Sequence, residues 1–217
     1  MKYDLPEGRV LVYGGDICGS GTVEEVESFN LFLQENAHKY DKIFVIAGNH
    51  DWCFQTEPDK AIEALTKDLT DKVIYLKDEE YVYEGVKLYG SPYQPEFCSW
   101  AFNVKRGPLL AAIWSQIPED VDVLITHGPP AKILDFTLYD REHAGCVDLM
   151  NRIVEIRPKV HCFGHIHEGY GTHFDGQTWY LNCSVCTLGY VPKNAPHIMD
   201  YDEETKEWNL IMEDAEQ

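Results

Sequence analysis

Basic side chains are scarce: 18 Lys and Arg stand against 37 Asp and Glu, a formal charge of −19 over 217 residues. That balance repels polyphosphate backbones and acidic membrane surfaces at long range, so neither a nucleic-acid polymer nor a membrane is expected as partner. A small phosphate ligand stays open, because a bound dication sets the local potential whatever the global charge. No apolar run is long enough to cross a bilayer. The first residues, MKYDLPEGRV, show neither the apolar core of a signal peptide nor an Arg-rich transit pattern, and a cytoplasmic protein is expected. Seven cysteines are an odd number and lie in or beside apolar runs (Cys162 in VHCFG, Cys183 in YLNCSV), which favours reduced thiols over a disulfide framework. Cys183 and Cys186 have CxxC spacing, but without a second CxxC thiol packing is expected rather than structural zinc. Internal repeats, low-complexity segments and linkers are lacking too. With 44% hydrophobic and 25% charged residues, positions 1–217 read as a single domain with a core of its own.

What the chain does have is four apolar runs that each end in potential metal ligands: VLVYGGD (10–16), IFVIAGNHD (43–51), DVLITHG (122–128) and VHCFGHIH (160–167). Short β-branched and aliphatic runs closed by Gly read as buried strands delivering their last residues to one rim of a sheet, where α/β folds bind ligands. Asp16, Asn49, His50, His127, His165 and His167 are therefore expected to converge. Anionic oxygen, neutral oxygen and imidazole nitrogen together suit divalent Mn, Fe, Ni or Zn better than Ca or Mg.

Between these strands the pattern predicts helices. Thr22 and Glu25 form a capping box ahead of Val26, Phe29 and Leu33 at helical spacing. Further helices are expected over about 58–69, 108–116 and 146–156. Short strands at 73–76, 81–84 and 86–90, the last two joined at Glu84 and Gly85, look antiparallel. GSPYQPEFCSWAFN (90–103) reads as an ordered loop whose Trp100 and Phe102 are expected to pack in the core, with lining of a base or aryl pocket as the alternative. A DG hairpin follows in HFDGQTWYLNCSV, and HIMDYDEETKEWNLIM closes the chain as another. The alternation indicates an α/β domain with two kinds of sheet.

GD (15–16), GNHD (48–51), THG (126–128) and GHIH (164–167), in this order, resemble the calcineurin-like metallophosphoesterases. LPEGRVLVYGGD, SPYQPEFCSWAFN, LITHGPP, FGHIHEGYG and LNCSVC narrow the resemblance to the metallophosphoesterase domain-containing subgroup and cover nearly the whole chain. The resemblance implies a four-layer α/β/β/α sandwich, a pair of divalent metals at one edge of its two sheets, and hydrolysis of small phosphoesters, phosphodiesters such as cyclic nucleotides among them. It makes Asp16 the bridge between the metals, gives Asn49, His127 and His165 to the second metal and His167 to the first, and places His50 beside the leaving oxygen as general acid or electrostatic partner. Asn49, His50 and, from a loop, His143 are the expected substrate contacts.

The family's opening DxH motif is missing here, so the second metal keeps four ligands and the first only Asp16 and His167. Asp4 precedes the strand at 9–13 and is expected near its opposite rim. The expectation is an N-terminally shortened domain whose first strand is absent, with weakened activity and an unpaired edge beside strand 9–13 through which chains self-associate. The alternative function is a non-catalytic, metal-dependent binder of nucleotides or phosphoproteins.

Overall fold

The computed structural model describes residues 5–211, so Asp4 lies outside the described residues. In chain order the elements are β1 (Val10–Tyr13), α1 (Val23–Asn36), β2 (Lys42–Val45), α2 (Trp52–Thr56), α3 (Pro58–Thr66), β3 (Val73–Tyr75), β4 (Glu79–Tyr83), β5 (Val86–Ser91), β6 (Gln94–Pro95), β7 (Asn103–Val104), α4 (Pro108–Trp114), β8 (Val123–Thr126), α5 (Val147–Ile156), β9 (Val160–Phe163), β10 (Gly171–Phe174), β11 (Trp179–Asn182), β12 (Ile198–Tyr201) and β13 (Trp208–Ile211). None of the described helices is long and apolar enough to cross a membrane.

Two sheets carry the architecture: a three-stranded one in the order β1-β2-β3 and a six-stranded one in the order β10-β11-β9-β8-β5-β4. The twofold alternation of side chains along each strand sorts them into layers. Ile43 and Val45 join Val26, Leu33 and Leu65 in the core under α1 and α3. Phe44 and Ile46 point the other way, into the space between the sheets, where they meet Leu88, Val123 and Ile125. On the far side of the second sheet, Leu124 and Phe163 pack with Leu110 and Trp114 of α4 and Leu149 and Ile153 of α5. The sandwich is thus α/β/β/α, as the resemblance implied.

The capping box is formed: Glu25 N–H donates to Thr22 Oγ1 at 3.3 Å, and Thr22 N–H donates to the Glu25 carboxylate at 3.0 Å. The DG signal becomes the β10-β11 hairpin, with Asp175 accepting from the N–H groups of Gln177 and Thr178. The antiparallel expectation for 73–90 holds for β4 and β5 but fails for β3, which pairs in parallel with β2 and completes the first sheet. A three-residue run bounded by turns does not record which sheet it joins; here Val73 is drawn under α3 into the α-side core. The segment 90–103 is less irregular than its composition suggests, since Gln94 and Pro95 form a short parallel ladder with Asn103 and Val104.

Candidate metal centre

β1 and β2 of the first sheet and β8 and β9 of the second run parallel to their neighbours, so all four end at the same rim. There Asp16, His127 and His165 present ligand atoms all within 4.8 Å of one another. The rings of His127 and His165 lie 5.0 Å apart. Asn49 joins them, its Oδ1 2.9 Å from His127 Nε2, and Asp16 Oδ2 is 3.4 Å from the same nitrogen. The rim is tight. A Cβ at Gly48 would stand 2.3 Å from Asp16 Oδ1 and 2.5 Å from His127 Cε1.

Each ligand is oriented by the backbone around it. His127 Nδ1 lies 2.9 Å from the Gly14 carbonyl, which requires the proton on Nδ1 and turns Nε2 toward Asp16 and Asn49. For His127 the orienting partner is thus a backbone carbonyl rather than a side chain. Asp16 and His165 both adopt left-handed backbone, with φ of 59° and 67°. For residues with a Cβ this costs about 1 to 2 kcal/mol each, strain of the kind retained at functional sites.

Burial alone would raise the Asp16 carboxyl, but the adjacent His127 imidazole and the His50 N–H hold it well below the usual carboxylate range. Burial works to lower His127, and the Asp16 carboxylate reverses it, so the net direction is upward. His165 is pushed down to about 3 by burial and by His127, and so stands as a neutral ligand at physiological pH. One anionic oxygen, one amide oxygen and two imidazoles make a donor set that fits a divalent transition metal, and the glycine-lined cradle keeps the space among them clear.

His50 sits half-buried beside this cluster. Its N–H donates to Asp16 Oδ1 at 2.9 Å, its Nδ1 lies 3.1 Å from the Gly19 carbonyl, and its ring packs on Trp100 with centroids 4.3 Å apart. Trp100 is therefore not a core residue, as its aromatic loop suggested, but a half-buried support for His50; Phe102 does lie in the core. His167, in a 3-10 turn after His165, stands outside the Asp16, His127 and His165 group, with its Nδ1 3.1 Å from the Thr187 carbonyl. His143 lies away from the cluster on its loop, 2.6 Å from Asp135.

Asp51, fully buried, binds no imidazole. Its carboxylate accepts from the N–H groups of Ile17, Cys18 and Gly48, tying the GD loop to the GNHD loop. Burial and the neighbouring Asp16 charge raise it to about 6 against those three donors. The acidic residue directly after GNH was the available signal, although nothing in the sequence assigned its partners.

Comparison with known proteins agrees with this geometry. The calcineurin-like phosphoesterase family profile matches residues 4–169, and the chain belongs to that family. Within it, the chain groups with the metallophosphoesterase domain-containing proteins. It is 41% identical to human metallophosphoesterase domain-containing protein 1 over 216 residues, covering 90% of this chain and 65% of that protein. The mouse protein of the same name gives the same identity and coverage, so the chain spans 65% of the length of these relatives. A Caenorhabditis elegans UPF0046 protein is 36% identical, with 87% of this chain and 70% of that one aligned. In fold, the chain is similar to TT1561 of Thermus thermophilus, with a TM-score of 0.55, 14% identity, and coverage of 93% of this chain and 84% of that one.

Proposed function

We propose that this chain is itself a metal-dependent phosphoesterase acting on small phosphodiesters such as cyclic nucleotides, with Asp16, Asn49, His127 and His165 holding one divalent cation. The supporting observation is the orientation of His127: with Nδ1 committed to the Gly14 carbonyl, Nε2 is turned toward Asp16 and Asn49, and a cation seated among these three atoms would take the place of the Nε2 proton. When bound, the cation supplies Lewis acidity toward a phosphoryl oxygen and a lowered pKa for water.

The chain's own residues do the rest. Asn49 contributes oxygen without charge, leaving one carboxylate against a dication and so a net positive seat for phosphate. His50, held by Gly19 and Trp100, keeps Nε2 for the leaving oxygen; with Nδ1–H given to Gly19, it donates there, as hydrogen-bond partner or general acid, in its doubly protonated form. His167 is the remaining donor for a second cation, of the Mn, Fe, Zn or Ni type like the first. With only one full donor set assembled among the described residues, turnover is expected to be slower than a two-metal site supports.

The test is hydrolysis of bis(4-nitrophenyl) phosphate and of 3′,5′-cyclic nucleotides after chelation and Mn addition. Turnover is expected only with metal, and His50→Ala is expected to lower kcat by about 10²-fold to 10⁴-fold with Mn affinity unchanged. Retained Mn binding without any turnover refutes the hydrolase reading and favours a metal-dependent binder.

A further inference from the structure

The loop from Pro129 to Cys146 is built around a carboxylate that the metal centre does not use. Asp135 is 1% exposed. Its Oδ2 accepts from the N–H groups of Lys132 at 2.8 Å and Gly145 at 3.0 Å, and its Oδ1 lies 2.6 Å from His143 Nδ1. Cys146 N–H to Pro129 O and Ala131 N–H to Cys146 O close the neck of the loop at 2.9 and 3.0 Å. A Cβ at Gly145 would stand 2.4 Å from the Pro130 carbonyl, so only glycine lets the neck close this way.

The same loop is clamped onto the turn that carries His167. Buried Asn182 donates from Nδ2 to the carbonyls of Ile166 at 2.8 Å and Leu134 at 3.3 Å. A Cβ at Gly169 would meet the Leu134 carbonyl at 1.9 Å, and Leu138 N–H donates to Glu168 at 2.9 Å. Between loop and turn lies a groove of about 590 Å³ whose walls include Phe136, Leu138, His143, His167 and Leu188. That volume is within the range of small-molecule sites, about 300 to 1,000 Å³. The groove extends toward the metal centre as far as His167, two residues from His165.

Phe136, Leu138 and Leu188 leave 43%, 60% and 55% of their surface in water. Apolar surface kept exposed beside a rigid polar group is what a ligand with an apolar body and a polar edge covers. Because Asp135 commits the His143 proton to Nδ1, Nε2 remains as the polar contact on that wall. Phe136 and His143, edge to face at 5.4 Å, suit a flat group.

We propose that this groove receives the organic moiety of the phosphoester, an aryl or similarly flat apolar group, and that His143, positioned by Asp135, is its polar specificity contact. The proposal rests on the phosphoesterase reading and names its substrate class.

Titration calorimetry of the Mn-loaded chain with phenylphosphonate and methylphosphonate tests it. Phenylphosphonate is expected to bind about tenfold more tightly, since burying a ring contributes at least that much. The ratio should fall toward one in His143→Ala and in Leu188→Ser, both at solvent-accessible positions, with circular dichroism checking that each variant is folded. Should either fail that check, Phe136→Ser replaces it. A ratio near one in the parent chain, or one that the folded variants leave intact, overturns the proposal. Absent turnover with a ratio that collapses in the variants keeps the groove and refutes the hydrolase; turnover with an unaffected ratio does the reverse.

Discussion

His161 links the two strands that deliver His127 and His165, and its burial makes a quantitative demand on acid stability. The ring is fully buried on β9 against Phe163 and Tyr180 and lies 2.8 Å from Thr126 Oγ1 on β8. The Thr126 hydroxyl gives its own proton to the Gly128 carbonyl, so it accepts from His161, which places the imidazole proton on Nε2. Nδ1 has no partner. Protonation would therefore put a charge and a donor without an acceptor into an apolar layer, and burial pushes His161 down from 6.5 to about 3. Unfolded, the ring takes a proton near 6.5; folded, only near 3. Between those values the unfolded chain binds more protons, so stability is fully present above about pH 6.5 and is lost as pH falls, by about 1.4 kcal/mol per unit. Relative to neutral pH the loss is about 1 kcal/mol at about pH 6 and about 3 kcal/mol at about pH 4.5.

His161→Gln isolates this effect, because the amide nitrogen still donates to Thr126 but cannot titrate. Urea unfolding of both chains in EDTA at about pH 7.5, 6 and 4.5 reports the difference in stability, in which every titration the two share cancels. The parent starts more stable through better packing, and its advantage should shrink by about 3 kcal/mol over the full range. A difference that stays constant within about 0.5 kcal/mol would show that the ring is solvated or already paired, and the argument would be wrong.

Three further outcomes are expected. Gly48→Ala should weaken Mn binding by at least about tenfold in calorimetry, because its Cβ enters the cradle between Asp16 and His127; unchanged affinity would mean the loop shifts without cost. Thr22→Ala should lower the urea-unfolding free energy by about 1 kcal/mol through loss of the α1 cap, and no change would place the cap's partner in solvent. β1 pairs with β2 alone among the described residues, and we propose that its free edge joins chains; sedimentation should show concentration-dependent association that Val12→Pro weakens, whereas a monomer at all micromolar concentrations counts against it.

Local pattern carried much of this protein. Apolar runs ending in Gly and a polar cluster announce themselves within seven to nine residues, and a parallel sheet leaves little freedom over where such ends go, so Asp16, Asn49, His127 and His165 were legible together. The capping box and the DG hairpin were legible for the same reason, since their partners lie two to three positions apart. Legibility failed where a residue's partner is distant or is backbone. Asp51 reads as one more acid until its three N–H donors are seen, two of them 33 and 34 positions away. Trp100 looked like packing because nothing local ties it to His50.

The strand-end motifs by themselves pointed to the family, the sandwich and a cluster of candidate metal ligands, because hydrophobic periodicity and turn chemistry act over a few residues. Only the tertiary structure decided which His127 nitrogen faces the cluster, the place of His167 outside the Asp16, His127 and His165 group, the parallel placement of β3, and the groove around His143. Those depend on Gly14, Thr187, Lys42–Val45, Leu134 and Asn182 meeting residues up to 113 positions away. Such meetings follow from how whole layers stack, which no window of sequence contains.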